Sequence, residues 1–222
     1  MKRIKSKFPL ADIFNFVLGK LSVLKSISEP VTFSSRDNAL SALYEEAYKL
    51  ADTSLDRMQI EAEEVNERYV KLAAFIDSGK MDEVVNDMYN KCLLEMQCCT
   101  MFDYIRLLDT RIQRMQGSDG AKVIKMNFGM AIMALKAGYP IRRKGWNGEG
   151  LMVFKQVPAH IESDVIPKMQ SLPQSAKDLI LKGKGFIDYT SQCLIYNENT
   201  GRADSWAPSI SDVFADDWEI VD

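Results

Sequence analysis

The chain has 222 residues, 46% of them hydrophobic and 27% charged, a composition that excludes a disordered or membrane-embedded class and fits a packed globular protein. Its 28 Lys and Arg against 31 Asp and Glu give a net charge of −3, so nothing in the bulk electrostatics favours polymeric nucleic acid or an acidic membrane, and any anion binding must be local. Four cysteines without metal-ligand spacing and a single histidine, His160, argue against a zinc centre, and reduced thiols with no metal and no cofactor are expected.

At the amino terminus a basic start precedes an apolar run from Phe8 to Ile27. Asp12, Asn15, Lys20 and Lys25 interrupt it and no small-residue cleavage site follows, which speaks against a signal peptide or a membrane span. Leu10, Ile13, Phe14, Val17, Leu18, Leu21 and Leu24 recur at helical spacing and predict an amphipathic helix within residues 1–30, closed at Glu29-Pro30. Its polar face is not densely basic, so packing on the chain's own helices or on a second copy is expected rather than a lipid surface.

From Ser35 to Gln116 the pattern is long and helical. Leu40, Leu43, Ala47, Leu50, Ser54, Met58, Ala62, Val65, Tyr69, Leu72 and Ile76 form one stripe, with Glu45, Glu46, Glu61, Glu63, Glu64 and Glu67 opposite it. That reads as one long helix, broken at most once. After a turn at Ser78-Gly79-Lys80, Val85, Met88, Cys92, Met96, Cys99, Phe102, Ile105, Leu108, Ile112 and Met115 rebuild the stripe, which predicts an antiparallel hairpin over residues 31–116. Two helices cannot bury both stripes, so oligomerisation or the amino-terminal helix is expected to cover the remainder. The run from Glu64 to Asp77, with Met96 and Tyr104 to Ile112, resembles small helical proteins of tailed bacteriophages, including crAss-like phages. That resemblance implies a phage origin and a helical hairpin.

Gln116-Gly117-Ser118-Asp119-Gly120 begins a linker, taken as residues 117–125, and the character changes after it. Asn127 can cap a helix from Phe128 to Ala137, with Phe128, Ile132 and Leu135 on its inner face and Gly138 as its stop. Tyr139-Pro140 then leads into Ile141-Arg142-Arg143-Lys144-Gly145-Trp146-Asn147-Gly148. Three cations, an indole and an amide between glycines suit an anionic, ring-bearing ligand better than a core. Leu151 to Val157, Gly185 to Tyr189, Gln192 to Asn197, Arg202 to Trp206 and Trp218 to Val221 read as strands. Residues 161–184 form an excursion with a short helix from Ser171 to Leu181, and Pro208 to Phe214 is a turn or short helix. The expected fold class is α+β: an all-α hairpin followed by a small antiparallel sheet with one main helix.

Within residues 126–222, Asn127-Phe128-Gly129-Met130-Ala131, the Arg142 to Gly148 run, Ser205-Trp206-Ala207-Pro208-Ser209, Asp212 and Asp216-Asp217-Trp218-Glu219-Ile220 resemble, in order, the Thoeris anti-defence two family of phages and prophages. The resemblance implies a non-enzymatic sponge in the host bacterial cytoplasm. Such a protein holds cyclic nucleotide immune signals, notably glycocyclic ADP-ribose of Thoeris and in some members the cyclic oligonucleotides of CBASS, without cleaving them. It also implies a homotetramer with pockets between protomers. Where the family usually carries histidine-isoleucine-aspartate, this chain reads Phe186-Ile187-Asp188-Tyr189, and the excursion from Ile161 to Lys184 does not align with the family pattern, so the resemblance does not fix the ligand preference.

The candidate ligand-binding residues are Phe128, Arg142, Arg143, Gly145, Trp146, Asn147, Asp188, Trp206, Ser209 and Asp212. Trp146 offers a face for a base to stack on, worth about 1 to 3 kcal/mol. Arg142 and Arg143 alternate sides on a strand, so at most one faces a pyrophosphate, to which a planar guanidinium is well matched. Asn147, Asp188, Ser209 and Asp212 can read ribose hydroxyls or a base edge. Against these, Trp218 reads as core, Trp206 as core or pocket wall, Asp216 and Asp217 as a turn and a strand cap, and His160 as a surface residue. No nucleophile-base pair stands out, so the expectation is binding, not catalysis, with a hydrolase using a carboxylate pair such as Asp188 and Asp212, or a structural phage protein, as alternatives.

Overall fold

A computed structural model describes residues 36–221 except Ile124; the helix expected within residues 1–30 lies outside the described residues. The chain divides into two compact units between Val123 and Ile124. It is α+β: helices make the first unit, and an antiparallel sheet with its helices makes the second.

The first unit contains α1 (Arg36–Leu50), α2 (Ser54–Asp77), α3 (Lys80–Val84) and α4 (Met88–Met115). The stretch from Ser35 is thus two helices, because Thr53 starts a new one: its hydroxyl accepts the Asp56 backbone N–H at 3.0 Å while the Asp56 carboxylate accepts the Thr53 N–H at 3.1 Å. The break folds α1 back along α2, and Tyr44, Ala47, Ala51 and Ile60 pack between them. The glutamates expected opposite the apolar stripe are therefore only partly on the surface, Glu45 being exposed. Glu63 is buried, and Tyr44 and Tyr48 donate their hydroxyls to Glu67 and Glu64.

Gly79, in the left-handed region at φ 74°, makes the expected turn, but the chain then interposes α3 and restarts at Asp87, whose carboxylate accepts the Tyr89 and Asn90 N–H groups. On α4 the buried residues are Cys98, Ile105 and Leu108, meeting Tyr69, Met58 and Ala62 of α2. Met88 is 78% exposed, and Cys92, Met96, Cys99 and Met115 are exposed as well. The core-facing line of α4 passes through half-buried Leu94 and buried Cys98, not through Cys92 and Met96, because residues four apart share a helix face and neighbours do not.

In the second unit α5 (Phe128–Lys136) is capped by Asn127, whose side chain accepts the Met130 N–H at 2.9 Å. The strands are β1 (Ile141–Arg143), β2 (Leu151–Gln156), β3 (Ala159–Ile161), β4 (Ile187–Tyr189), β5 (Gln192–Asn197), β6 (Arg202–Ser205) and β7 (Trp218–Ile220). Five of them form an antiparallel sheet in the order β6-β5-β2-β1-β7, with α5 against β7, β1 and β2. Directly opposed residues share a face, and the buried centre is Ile141 opposite Val153, with Trp218 opposite Arg143. Met130, Ala131, Ala134 and Leu135 of α5 complete that core.

A strand that the sequence pattern did not announce leads into the excursion. β3 pairs with β4 in a separate two-stranded sheet, Ala159 opposite Tyr189 and Ile161 opposite Ile187. A 3-10 turn at Ile166–Lys168, anchored by fully buried Ile166, and α6 (Gln174–Lys182) follow β3. A last short helix, α7 (Ile210–Val213), precedes β7.

Candidate ligand-binding site

The geometry of the basic-aromatic run begins with strand alternation. Arg142 and Arg143 stand on opposite faces of β1, and β7 supplies their partners. Arg142 lies opposite Glu219 and donates to it from Nε at 2.6 Å. Arg143 shares its face with the buried Trp218, and its side chain is only 18% exposed. It donates from Nε to Asp217 at 2.8 Å and from Nη1 to Asp212 at 3.0 Å and to the Ser211 carbonyl at 3.3 Å.

The same two carboxylates hold the turn after β1. Asp217 accepts the Gly145 backbone N–H at 2.8 Å, and a Cβ on Gly145 would stand 2.6 Å from that carboxylate oxygen, so any larger residue there would push the carboxylate out of its place. Asp212 accepts the Trp146 indole N–H at 3.1 Å. Its other oxygen accepts the Ser209 N–H at 2.9 Å and the Ser209 hydroxyl at 2.7 Å; the first of these, with the Asp212 N–H donated to the Ser209 hydroxyl oxygen at 3.2 Å, makes the capping box of α7. Burial alone would push the Asp212 carboxyl up; the hydrogen bonds from Ser209, Arg143 and Trp146 outweigh it and hold it at about 2. Asp217 is likewise held below the usual carboxylate range, chiefly by Arg143, against the effect of burial.

Around Trp218 the aromatic candidates converge. Trp218 is fully buried, as expected of a core residue, and donates its indole N–H to the Asp212 carbonyl at 3.0 Å. Trp146 and Trp206 meet it edge-on, with ring centroids at 5.4 Å and 6.1 Å, and Phe128 meets it tilted at 5.8 Å. All three of these outer rings are half-buried. Phe128, Arg143, Gly145, Trp146, Trp206, Ser209 and Asp212 are therefore linked through Trp218, Asp212 and Asp217 into one cluster. Arg142 faces away from it, and Asn147 is exposed in the turn beyond Trp146.

Asp188 belongs elsewhere, on β4 opposite His160 of β3. Its carboxylate lies 2.6 Å from His160 Nδ1, Glu162 lies 3.4 Å from Nε2, and the imidazole stacks on Phe186 at 5.0 Å. Asp188, ahead of burial, which acts the other way, and Glu162 raise the imidazole above its ordinary 6.5. The sign follows: the imidazolium is the paired form, so its contribution is full below the ordinary value and is lost as pH rises through the raised one. Asp188→Asn should lower the His160 titration midpoint, read from the ring proton shifts by NMR; an unchanged midpoint would show that the pair does not exist in solution.

The sequence reading missed Asp217 as a site-forming residue, although it did identify an acidic strand entry. Its partner Arg143 lies 74 residues away, and only the β1–β7 register brings the two together. Among the described residues no group of three or more His, Cys, Asp and Glu is placed to hold a metal.

Residues 126–221 match the family model of the Thoeris anti-defense 2-like domain. Thoeris anti-defense 2 of Bacillus phage SP01 is 30% identical over 102 residues, which cover 44% of this chain and 96% of that protein. The chain belongs to the Thoeris anti-defense 2 family. The family match takes in α5, all seven strands and α7, and with them every candidate residue from Phe128 to Asp212. The helical unit is similar to a different family, Sequestin, over residues 52–114, from the end of the α1–α2 break almost to the end of α4.

Proposed function

We propose that this phage anti-defence protein binds a cyclic nucleotide immune signal and sequesters it without cleaving it. Glycocyclic ADP-ribose of Thoeris is the first candidate, and the cyclic oligonucleotides of CBASS are the second. The observation that carries this reading is the Trp146–Trp218–Trp206 cluster with Phe128, whose half-buried outer rings offer aromatic surface next to Arg143 and Asn147. Base-aromatic stacking tolerates many bases and supplies affinity without any reacting group. The family likeness of the sheet unit, and the Sequestin likeness of the helical one, agree with retention of a small signal.

Sequestration in the host cytoplasm by a homo-oligomer, a tetramer in the fullest form of the proposal, follows the same line. Among the described residues no helix is long and apolar enough to cross a membrane. For the hydrolase alternative, Asp188 and Asp212 are the example of a carboxylate pair, and these two do not work as one. Asp212 is occupied by four donors and is ionised at about 2, unsuited to a general acid at neutral pH, while Asp188 is engaged by His160 in the other sheet.

Mixing the full chain with excess glycocyclic ADP-ribose tests the reading. Depletion is expected to stop at a fixed stoichiometry, and heating should return the ligand intact by chromatography. Continued consumption of ligand would overturn it in favour of an enzyme, and no depletion would remove this ligand. Trp146→Ala should abolish the depletion. Because the indole packs on Trp218 and is tied to Asp212, the same change should also lower the melting point of the sheet unit, though less than loss of Trp218 itself.

A further inference from the structure

We infer that Arg143 and Asp212 are positioning residues, which fix the Trp146 indole and the turn from Lys144 to Gly148 for the ligand without touching it. The inference rests on the binding reading above and divides its residues into those that meet the ligand and those that act through another.

The donor count drives it. Four of the five guanidinium N–H groups of Arg143 are engaged, that of Nε and one of Nη2 by Asp217 and those of Nη1 by Asp212 and the Ser211 carbonyl, in a site where its side chain is 18% exposed and that of Asp212 9%. Turning this guanidinium to a phosphate would break two ion pairs and strand a mostly buried carboxylate. Asp212 is equally occupied. One oxygen accepts Arg143 and the Trp146 N–H, and the other accepts the Ser209 N–H and hydroxyl.

The wiring shows what these bonds accomplish. Through Asp212 the guanidinium is connected to the Trp146 indole N–H, and through Asp217 to the Gly145 backbone N–H. With its nitrogen held and its ring set edge-on against Trp218, the indole has one orientation left, and a stacking surface fixed before binding loses less entropy when the ligand arrives. On the same turn the Lys144 ammonium and the Asn147 amide are exposed and have no side-chain partner among the described residues, so polar contact to a ligand falls to them rather than to the arginine.

The test uses the full chain and glycocyclic ADP-ribose as probe, with indole N–H resonances read by NMR and affinity by calorimetry. Arg143→Met is expected to shift the Trp146 indole resonance in the ligand-free protein and to weaken binding about tenfold or more. In a Trp146→Phe background, which keeps an aromatic face but lacks the indole donor, the same change should cost less than about threefold. The salt dependence of affinity should stay that of the wild type, since no ligand-contacting charge is lost. An unmoved indole resonance, an undiminished loss in the Trp146→Phe background, or a flattened salt dependence would each overturn the inference and make Arg143 a direct contact. Should Arg143→Met fail to fold, Asp212→Asn, which keeps the side-chain shape, takes its place with the same expected pattern. If the wild-type protein binds no probe, the functional reading fails, and the indole resonance alone still decides the positioning role.

Discussion

Replacing Asp212 with alanine is expected to destabilise the sheet unit by about 3–5 kcal/mol, the range for removing one partner of a buried ion pair. The variant loses the acceptor for Arg143 Nη1, for the Trp146 indole and for both Ser209 donors at once. Asp217 still engages the guanidinium, which places the effect toward the lower end of that range. All three tryptophans lie in this unit, so urea unfolding followed by tryptophan fluorescence reports it without interference from the helices. The folded carboxyl sits at about 2, below its ordinary 3.8, so the stabilisation is present above 3.8 and disappears as pH falls through about 2. The gap between wild type and Asp212→Ala should therefore be full at pH 7 and narrow, by up to about 2 kcal/mol, as pH falls below 3.8 and through about 2. A gap that stays constant with pH would mean that the side chain acts by packing, not by charge.

That Asp212 is structural was only partly legible in the sequence. The local half was readable, because Ser209 followed three residues later by Asp212 is a capping-box spacing and marks a helix start. The other half was not, since the Arg143 and Trp146 partners lie 69 and 66 residues upstream and are set by the β1–β7 pairing. The same limit explains Arg143. As an isolated residue in a basic run it reads as an anion binder, and only the register with Trp218 places it on the inner face, where a charge must be paired. Elements with local signals were placed closely: β5 at Gln192–Asn197 coincides with its expected span, and α5 begins at the expected Asn127 cap. The expected line along α4 meets the core at Ile105 and Leu108 but departs from it in the first half of the helix, because the strides of three and four through Cys92 and Met96 fit a helix as well as those through Leu94 and Cys98 do. Tyr69 of α2, packed on Cys98, decides between them. β3 went unseen because Ala159-His160-Ile161 carries no strand pattern of its own and owes its form to pairing with β4.

Trp218→Ala is the second large effect, with an expected loss of about 3–5 kcal/mol for deleting a buried aromatic. Trp218 is 0% exposed and is the ring on which Phe128, Trp146 and Trp206 all pack. Its backbone also bridges to Met126 in both directions, which closes the sheet over the entry to α5. Removing the indole therefore empties the centre of the cluster and takes from the Asp212 carbonyl its one side-chain donor, so binding and folding should fail together. Trp146→Ala removes one outer ring and leaves that centre in place, so at a temperature where the variant remains folded it should bind nothing. Measuring melting point and ligand depletion on both variants separates the two roles. Should Trp218→Ala keep a wild-type melting point, the cluster would not be the core that organises the site, and the proposed position of the ligand would lose its structural basis.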